Sequence, residues 1–269
     1  MNELVLPHDF TKEQSGALQL IARAALDTVD SRYGAGYPGY TEGSLGTDLA
    51  YHNGHHGRHV GDNSDRTAVA SGFSPAVSKL SHVTGNAHDI VQLLGRGRDE
   101  EASAEWLTLK LQELGFAKGI AMIGGLAILG TEPIFERNRI IGQKATRLVY
   151  PSRESEQVAL SVASGDFGEV YTPQGPLLGH KLWQEMQGVK PQAEPIFKRE
   201  KLIAFQKNQI DLFDTYRYPL PAARHVLATH EPQVRAYAEL VLQQLETGDI
   251  VSWQQLIAQD LAFMHEHTA

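Results

Sequence analysis

The stretch "DEEASAEWLTLKLQELG", residues 99–115, decides the fold class. Asp99 supplies a capping side chain, Ala104, Leu107, Leu111 and Leu114 recur at helical intervals, and Gly115 provides a stop. The same period runs outward in both directions. Thr11 and Gln14 have capping-box spacing, and Leu18, Ile21, Ala25 and Val29 mark one apolar face, which predicts a first helix over about 12–30. Further helices are expected near 51–60, 85–94, 118–130, 135–148, 153–164, 176–186, 197–215 and 232–246. Ser252 with Gln255 caps a last one ending near His265. Strand signals are sparse, so the chain reads as all-α.

Composition narrows the chemistry. A chain of 269 residues with 42% apolar side chains can bury a large core. Its formal charge is −8 with scattered basic residues, so small molecules are expected as partners rather than nucleic acid. There is no cysteine, which excludes disulfides, thiolate nucleophiles and iron–sulfur ligation. A metal would have to be held by histidine and carboxylate. The apolar run "GIAMIGGLAILG" (119–130) is shorter than the roughly 20 residues that cross a bilayer, so it is expected to be a buried core helix, with no membrane partner. The N-terminus has acids and no apolar core, so no secretory signal is read and a cytoplasmic location is expected.

Two glycine-bearing breaks interrupt the helical pattern, at 32–46 and 186–195. Gly34, Gly36 and Gly39 have dinucleotide-turn spacing, but a helix precedes them and Pro38 sits inside, so that reading fails on context. The triplet Asp166-Phe167-Gly168 has the letters of a kinase metal-binding motif without the catalytic loop that would accompany it. His8-Asp9 reads as a turn leading into the Thr11 cap.

The chemistry concentrates elsewhere. "YHNGHHGRHV" (51–60) places His52 and His56 one helical turn apart, and His55 and His59 likewise. Gly54 and Gly57 would weaken an isolated helix by about 1 kcal/mol each, so packing or a bound ion is expected to hold this segment. His88 and Asp89, in an apolar stretch, can both address one ion, and burying them unpaired would cost several kcal/mol. Imidazole with carboxylate suits zinc, iron, manganese, cobalt or nickel, and magnesium where water completes the shell. Asp166, at the end of an apolar helix before Gly168, reads either as a further ligand or as a turn aspartate.

In order, Tyr51-His52-Asn53 with His56, then His88-Asp89, then "DEEASA", then Asp166 in "GDFG" resemble the H…HD…D signature of HD-domain metal-dependent phosphohydrolases. "YHNGHH" is also similar to the helix start of the related cyclic-nucleotide phosphodiesterases. The resemblance covers about 45–175 and departs from the family pattern where glycines replace the usual neighbours of the aspartate. It implies an HD helical bundle as core, with the 12–30 helix and a helical region of about 197–266 as extensions of a single domain. It implies His56, His88, Asp89 and Asp166 as metal ligands for one or two divalent ions, and His52 as proton donor to a leaving group. Glu100 and Glu101 become candidates to orient water or a ligating histidine, and Arg96, Arg98 and Lys144 to bind phosphate. The implied activity is hydrolysis of a small phosphate ester, a nucleotide or related phosphometabolite, by metal-activated water. The alternatives are a catalytically weak regulatory domain that binds metal or nucleotide, and a di-iron oxygenase of HD type. Homo-oligomerisation is open, and His55, His59 and His82 are left without a role.

Overall fold

The computed structural model describes residues 5–33, 49–92, 97–137 and 139–268. The fold is all-α. Among the described residues eleven helices run in the order α1 (Lys12–Tyr33), α2 (Gly54–Ala70), α3 (Pro75–Ala87), α4 (Arg98–Glu113), α5 (Lys118–Leu129), α6 (Arg153–Asp166), α7 (Gly175–Met186), α8 (Arg199–Thr215), α9 (Pro221–Leu227), α10 (Glu231–Thr247) and α11 (Trp253–His267). None is long and apolar enough to cross a membrane.

The caps explain several boundaries. Thr11 Oγ1 accepts from Gln14 N–H at 3.1 Å while Gln14 Oε1 accepts from Thr11 N–H at 3.1 Å, the reciprocal pair that starts α1. Ser252 Oγ accepts from Gln255 N–H and starts α11. In α4 the expected Asp99 cap is displaced. Gly97 is the N-cap, with φ 80°, and Glu100 Oε2 accepts from its N–H at 2.7 Å. Asp99 lies in the first turn instead, where a carboxylate complements the helix dipole.

Two of the expected helices also fail. No helix spans 135–148: residues Pro133–Glu136 (β1) and Arg139–Gln143 (β2) form an antiparallel hairpin, followed by a 3₁₀ turn over Lys144–Thr146. Phe135, Ile140 and Ile141 favour extended backbone, and Gly142, at φ 158° beside a register shift, would have cost any helix passing through it. Nor does a helix continue past Ala87 over the described part of 85–94. α3 begins at Pro75 behind the Ser74 cap and ends at Ala87, so His88 and Asp89 lie just past its last turn. The His88 ring accounts for that ending, because its Nδ1 bonds back to the Gly85 carbonyl at 2.8 Å. The 34–39 glycine pattern falls outside the described residues.

Helices α1 to α6 share one apolar core, in which the expected α5 buries Ile120, Ile123, Ala127 and Ile128. A second core gathers Trp183 of α7, Leu202 and Phe213 of α8, Val241 and Leu245 of α10 and Leu256 of α11. Inside it Asp260 Oδ2 accepts from His180 Nδ1 at 2.6 Å, and Tyr237 Oη donates to Oδ1 at 2.9 Å. β2 touches α8, where Thr215 Oγ1 donates to the Ile140 carbonyl.

Close backbone approach sets the site's geometry. A Cβ on Gly85 of α3 would lie 2.8 Å from Gly61 Cα of α2, and one on Gly165 of α6 would lie 2.8 Å from Ser64 N of α2. Gly57, one of the glycines that weaken α2 in isolation, is packed likewise: a Cβ there would lie 3.2 Å from Asn86 O and 3.2 Å from Leu26 Cδ2. That packing draws the start of α2 and the ends of α3 and α6 to one place.

Candidate metal centre

Asn53 caps α2, accepting from His55 N–H at 3.0 Å and His56 N–H at 3.2 Å. With the helix fixed there, His56 turns inward and is buried, while His55 is exposed. His88 is also buried. His56 Nε2 lies 3.4 Å from Asp89 Oδ2 and 3.6 Å from Asp166 Oδ1. His88 Nε2 lies 2.8 Å from Asp89 Oδ2 and 3.4 Å from Asp166 Oδ1. Four side chains from three separate segments therefore face one small volume.

The contacts hold the donors in place from behind. His56 Nδ1 bonds Glu169 Oε2 at 2.9 Å, and His88 Nδ1 bonds Gly85 O. Each ring thereby presents its Nε2 to the shared volume, yet neither buried Nε2 has a hydrogen-bond partner. The close Asp89 oxygen lies off the hydrogen-bonding direction of His88 Nε2, so proximity alone does not satisfy it. Two orphaned imidazole nitrogens beside two carboxylates are the donor set of a divalent transition ion, and the residues fit one.

No family model matches the chain, and no curated protein and no solved structure matches it.

The local electrostatics favour positive charge. Burial opposes protonation of His56, but the surrounding Asp166, Asp89 and Glu169 carboxylates raise its pKa well above the ordinary imidazole value. His88, also opposed by burial, is pushed up to about 10 by Asp89 and Asp166. Burial would raise Asp89 and Asp166, yet both are held below the usual carboxylate range by these histidines. Glu169 is drawn down to about 2, with burial outweighed by its contacts to His56 and His59. A cation at the centre would take over what protons do in its absence.

His52 stands beside the cluster. Its Nδ1 contacts Glu185 Oε1 of α7, and Glu185 Oε2 accepts from the backbone N–H groups of Tyr51 and His52 at 2.8 and 3.1 Å. Its Nε2 is 4.0 Å from Asp89 Oδ2. Burial lowers the His52 pKa, but Glu185 and Asp89 more than offset this and the net shift is upward.

A cavity of 720 Å³ opens over the centre, bordered by His52, His88, Asp89 and Asp166 and walled by Phe135, Ile140, Phe167, Leu178, Leu182 and Leu212. Glu100 borders it and is raised in pKa by burial, but its carboxylate is committed to the Gly97 N–H. Glu101 is exposed and does not border it. Arg98 is exposed at the start of α4 and also lies off the cavity. Lys144 pairs with Glu132 at a separate, shallower depression. Arg96 falls outside the described residues. The single lysine or arginine among the described lining residues is Arg139, 3.0 Å from Asp211.

Sequence reasoning missed Glu169, Glu185, Gln143 and Arg139. Glu169 was the most accessible of these, a carboxylate three residues after Asp166 in "GDFGEV". Gln143 and Glu185 carry no local signal, because only tertiary packing brings them to Asp166 and His52.

Proposed function

We propose that this chain is a metal-dependent phosphohydrolase of HD type, acting on a small phosphate ester. The observation that carries the reading is the convergence of His56, His88, Asp89 and Asp166, with the two histidine Nε2 atoms buried and unpartnered. The resemblance in residue order supports it independently of that geometry.

His56, His88, Asp89 and Asp166 would hold the ion. Bound there, a divalent cation supplies acidification of water and neutralisation of charge growing on phosphoryl oxygens. The protein's own groups do the rest. Glu169 and the Gly85 carbonyl fix which nitrogen each ligating histidine presents. His52, oriented by Glu185, which also raises its pKa against the effect of burial, donates its Nε2 proton to the departing alkoxide, and Glu185 stabilises the imidazolium until that transfer. The apolar walls exclude water around the organic part of the substrate, and Arg139 takes the phosphate-facing role expected of Arg98 and Lys144.

The test is turnover of a phosphate-ester panel by protein loaded in turn with magnesium, manganese, iron, cobalt and nickel. Hydrolysis that is lost with chelator and with His88→Ala, and is the same with and without oxygen, supports the proposal. Oxygen-dependent consumption of an organic substrate would replace it with an oxygenase. Metal or nucleotide binding without turnover would leave a regulatory domain.

A further inference from the structure

Two histidines on the outer side of α2, and one oxygen of Glu169 beside them, remain without a role. His55 and His59 stand one turn apart with ring centroids 4.1 Å apart, and Glu169 enters from the 3₁₀ turn Gly168–Tyr171. Glu169 Oε1 lies 2.5 Å from His59 Nδ1 but makes no hydrogen bond, and it is buried. One donor atom from each of the three lies within 4.8 Å of the others. We infer that His55, His59 and Glu169 form a second, outer site for a transition-metal ion such as Zn²⁺.

The donor set is two imidazoles at i, i+4 on one helix with a carboxylate from another element, an arrangement that zinc accepts with a position left for water. Glu169 Oε1 is buried beside His59 Nδ1 but makes no hydrogen bond, so a cation between the two would satisfy an oxygen that the ion pair alone leaves without one. His55 is exposed and His59 partly so, which leaves the site open to ions from solvent. The residue after the first histidine is His56, turned inward, where a zinc hydrolase of this spacing has its general-base glutamate. The outer ion therefore has a modulating role rather than its own hydrolytic one.

Modulation follows from the shared carboxylate. Glu169 Oε2 accepts from His56 Nδ1 at 2.9 Å while Oε1 belongs to the outer site. An ion on Oε1 withdraws charge from Oε2, weakens its hold on His56 and lowers the donor strength of His56 Nε2 toward the inner centre. Outer occupancy thus reduces inner affinity.

The outer site stands apart from the hydrolase reading, while its modulating role rests on the inner centre of that reading, and equilibrium dialysis of metal-free protein against Zn²⁺, with metal counted per chain, tests both. Wild type should take up two ions. His55→Ala and His59→Ala should each take one, while His82→Ala, at a surface pair with Asp62, should keep two. His55 is exposed, so its loss leaves the fold intact even where His59→Ala perturbs it, and circular dichroism checks this. With His55→Ala, inner affinity measured at sub-stoichiometric Zn²⁺ should no longer fall as outer occupancy rises. Two ions retained by both His55→Ala and His59→Ala would overturn the inference, as would a single wild-type ion lost with His88→Ala. A single ion that survives His88→Ala and disappears with His55→Ala supports the outer site and removes the inner centre instead.

Discussion

Gln143 donates from Nε2 to Asp166 Oδ2 at 2.9 Å, and the same buried amide accepts from Tyr216 Oη at 3.0 Å through Oε1. One oxygen of Asp166 is thereby anchored and the other left facing His56 and His88. Gln143→Leu should weaken ion binding at the inner centre about 10- to 100-fold, the usual scale for losing a group that orients a ligand. Tyr216→Phe, which removes one step further back, should weaken it less. Competition with a chromophoric chelator measures both, and equal affinity in Gln143→Leu and wild type would remove Gln143 from the centre.

The pairing of His52 with Glu185 gives the proposed hydrolysis a pH signature. A proton donor works only while protonated, so rate falls as pH rises through its pKa. Glu185 and Asp89 raise that pKa against the effect of burial, so the alkaline limb of kcat/KM lies above the ordinary imidazole value. In Glu185→Gln the principal raising contact is gone while burial remains, and the limb should move to lower pH. His52→Ala should lower kcat by about 10²- to 10⁴-fold and abolish the limb. A limb unmoved in Glu185→Gln would show that another group donates the proton.

How much of this was legible in the sequence follows from where the information lies. Local period and caps were enough for α1, α4, α5 and α11, because Thr11, Gly115, Ser252 and their apolar faces act within a few residues. The hairpin was missed because Ile140 and Ile141 fit a helical period as well as a strand, and the hairpin packs against α8, distant in sequence. The start of α3 is readable in Ser74-Pro75, a cap followed by a proline at the first helical position. The convergence of His56, His88, Asp89 and Asp166 was legible because such residue types are costly to bury without purpose. Its supporting groups were not, since a glutamine or glutamate gains its meaning only from the partner that folding brings to it.

The crossing of α2 and α3 should tolerate no side chain. A Cβ on Gly85 would meet Gly61 Cα at 2.8 Å and Gly61 N at 2.9 Å, and backbone atoms cannot swing aside. Gly85→Ala should destabilise by about 1–3 kcal/mol or more and loosen His88 three residues on. Gly16, in α1 with nothing within 4 Å of its would-be Cβ, is the control. Gly16→Ala should stabilise by about 0.5–1 kcal/mol, since alanine loses less backbone freedom in a helix. Urea midpoints of the two variants should move in opposite directions, and a Gly85→Ala midpoint equal to wild type would contradict the close crossing.

Asp260 ties α11 to α7, the helix that carries Glu185. Its buried carboxylate accepts from His180 Nδ1 and Tyr237 Oη, and His180 Nε2 lies 3.2 Å from Gln206 Oε1. Asp260→Ala leaves an imidazole nitrogen and a phenol without partners inside an apolar core. Breaking one side of such a buried network costs on the order of 3–5 kcal/mol, a large share of the stability of a typical domain. Asp260→Asn retains an acceptor for one of the two donors and should cost less. The consequence extends to the site, because α7 positions Glu185 against His52. Asp260→Ala should therefore lower the thermal midpoint and, at temperatures where the variant remains folded, reduce kcat while leaving ion affinity at His56 and His88 near wild type. Thermal melts read by circular dichroism, with metal titration of the folded variant, check both parts. An unchanged midpoint would show that the His180–Asp260 contact contributes nothing to holding α7.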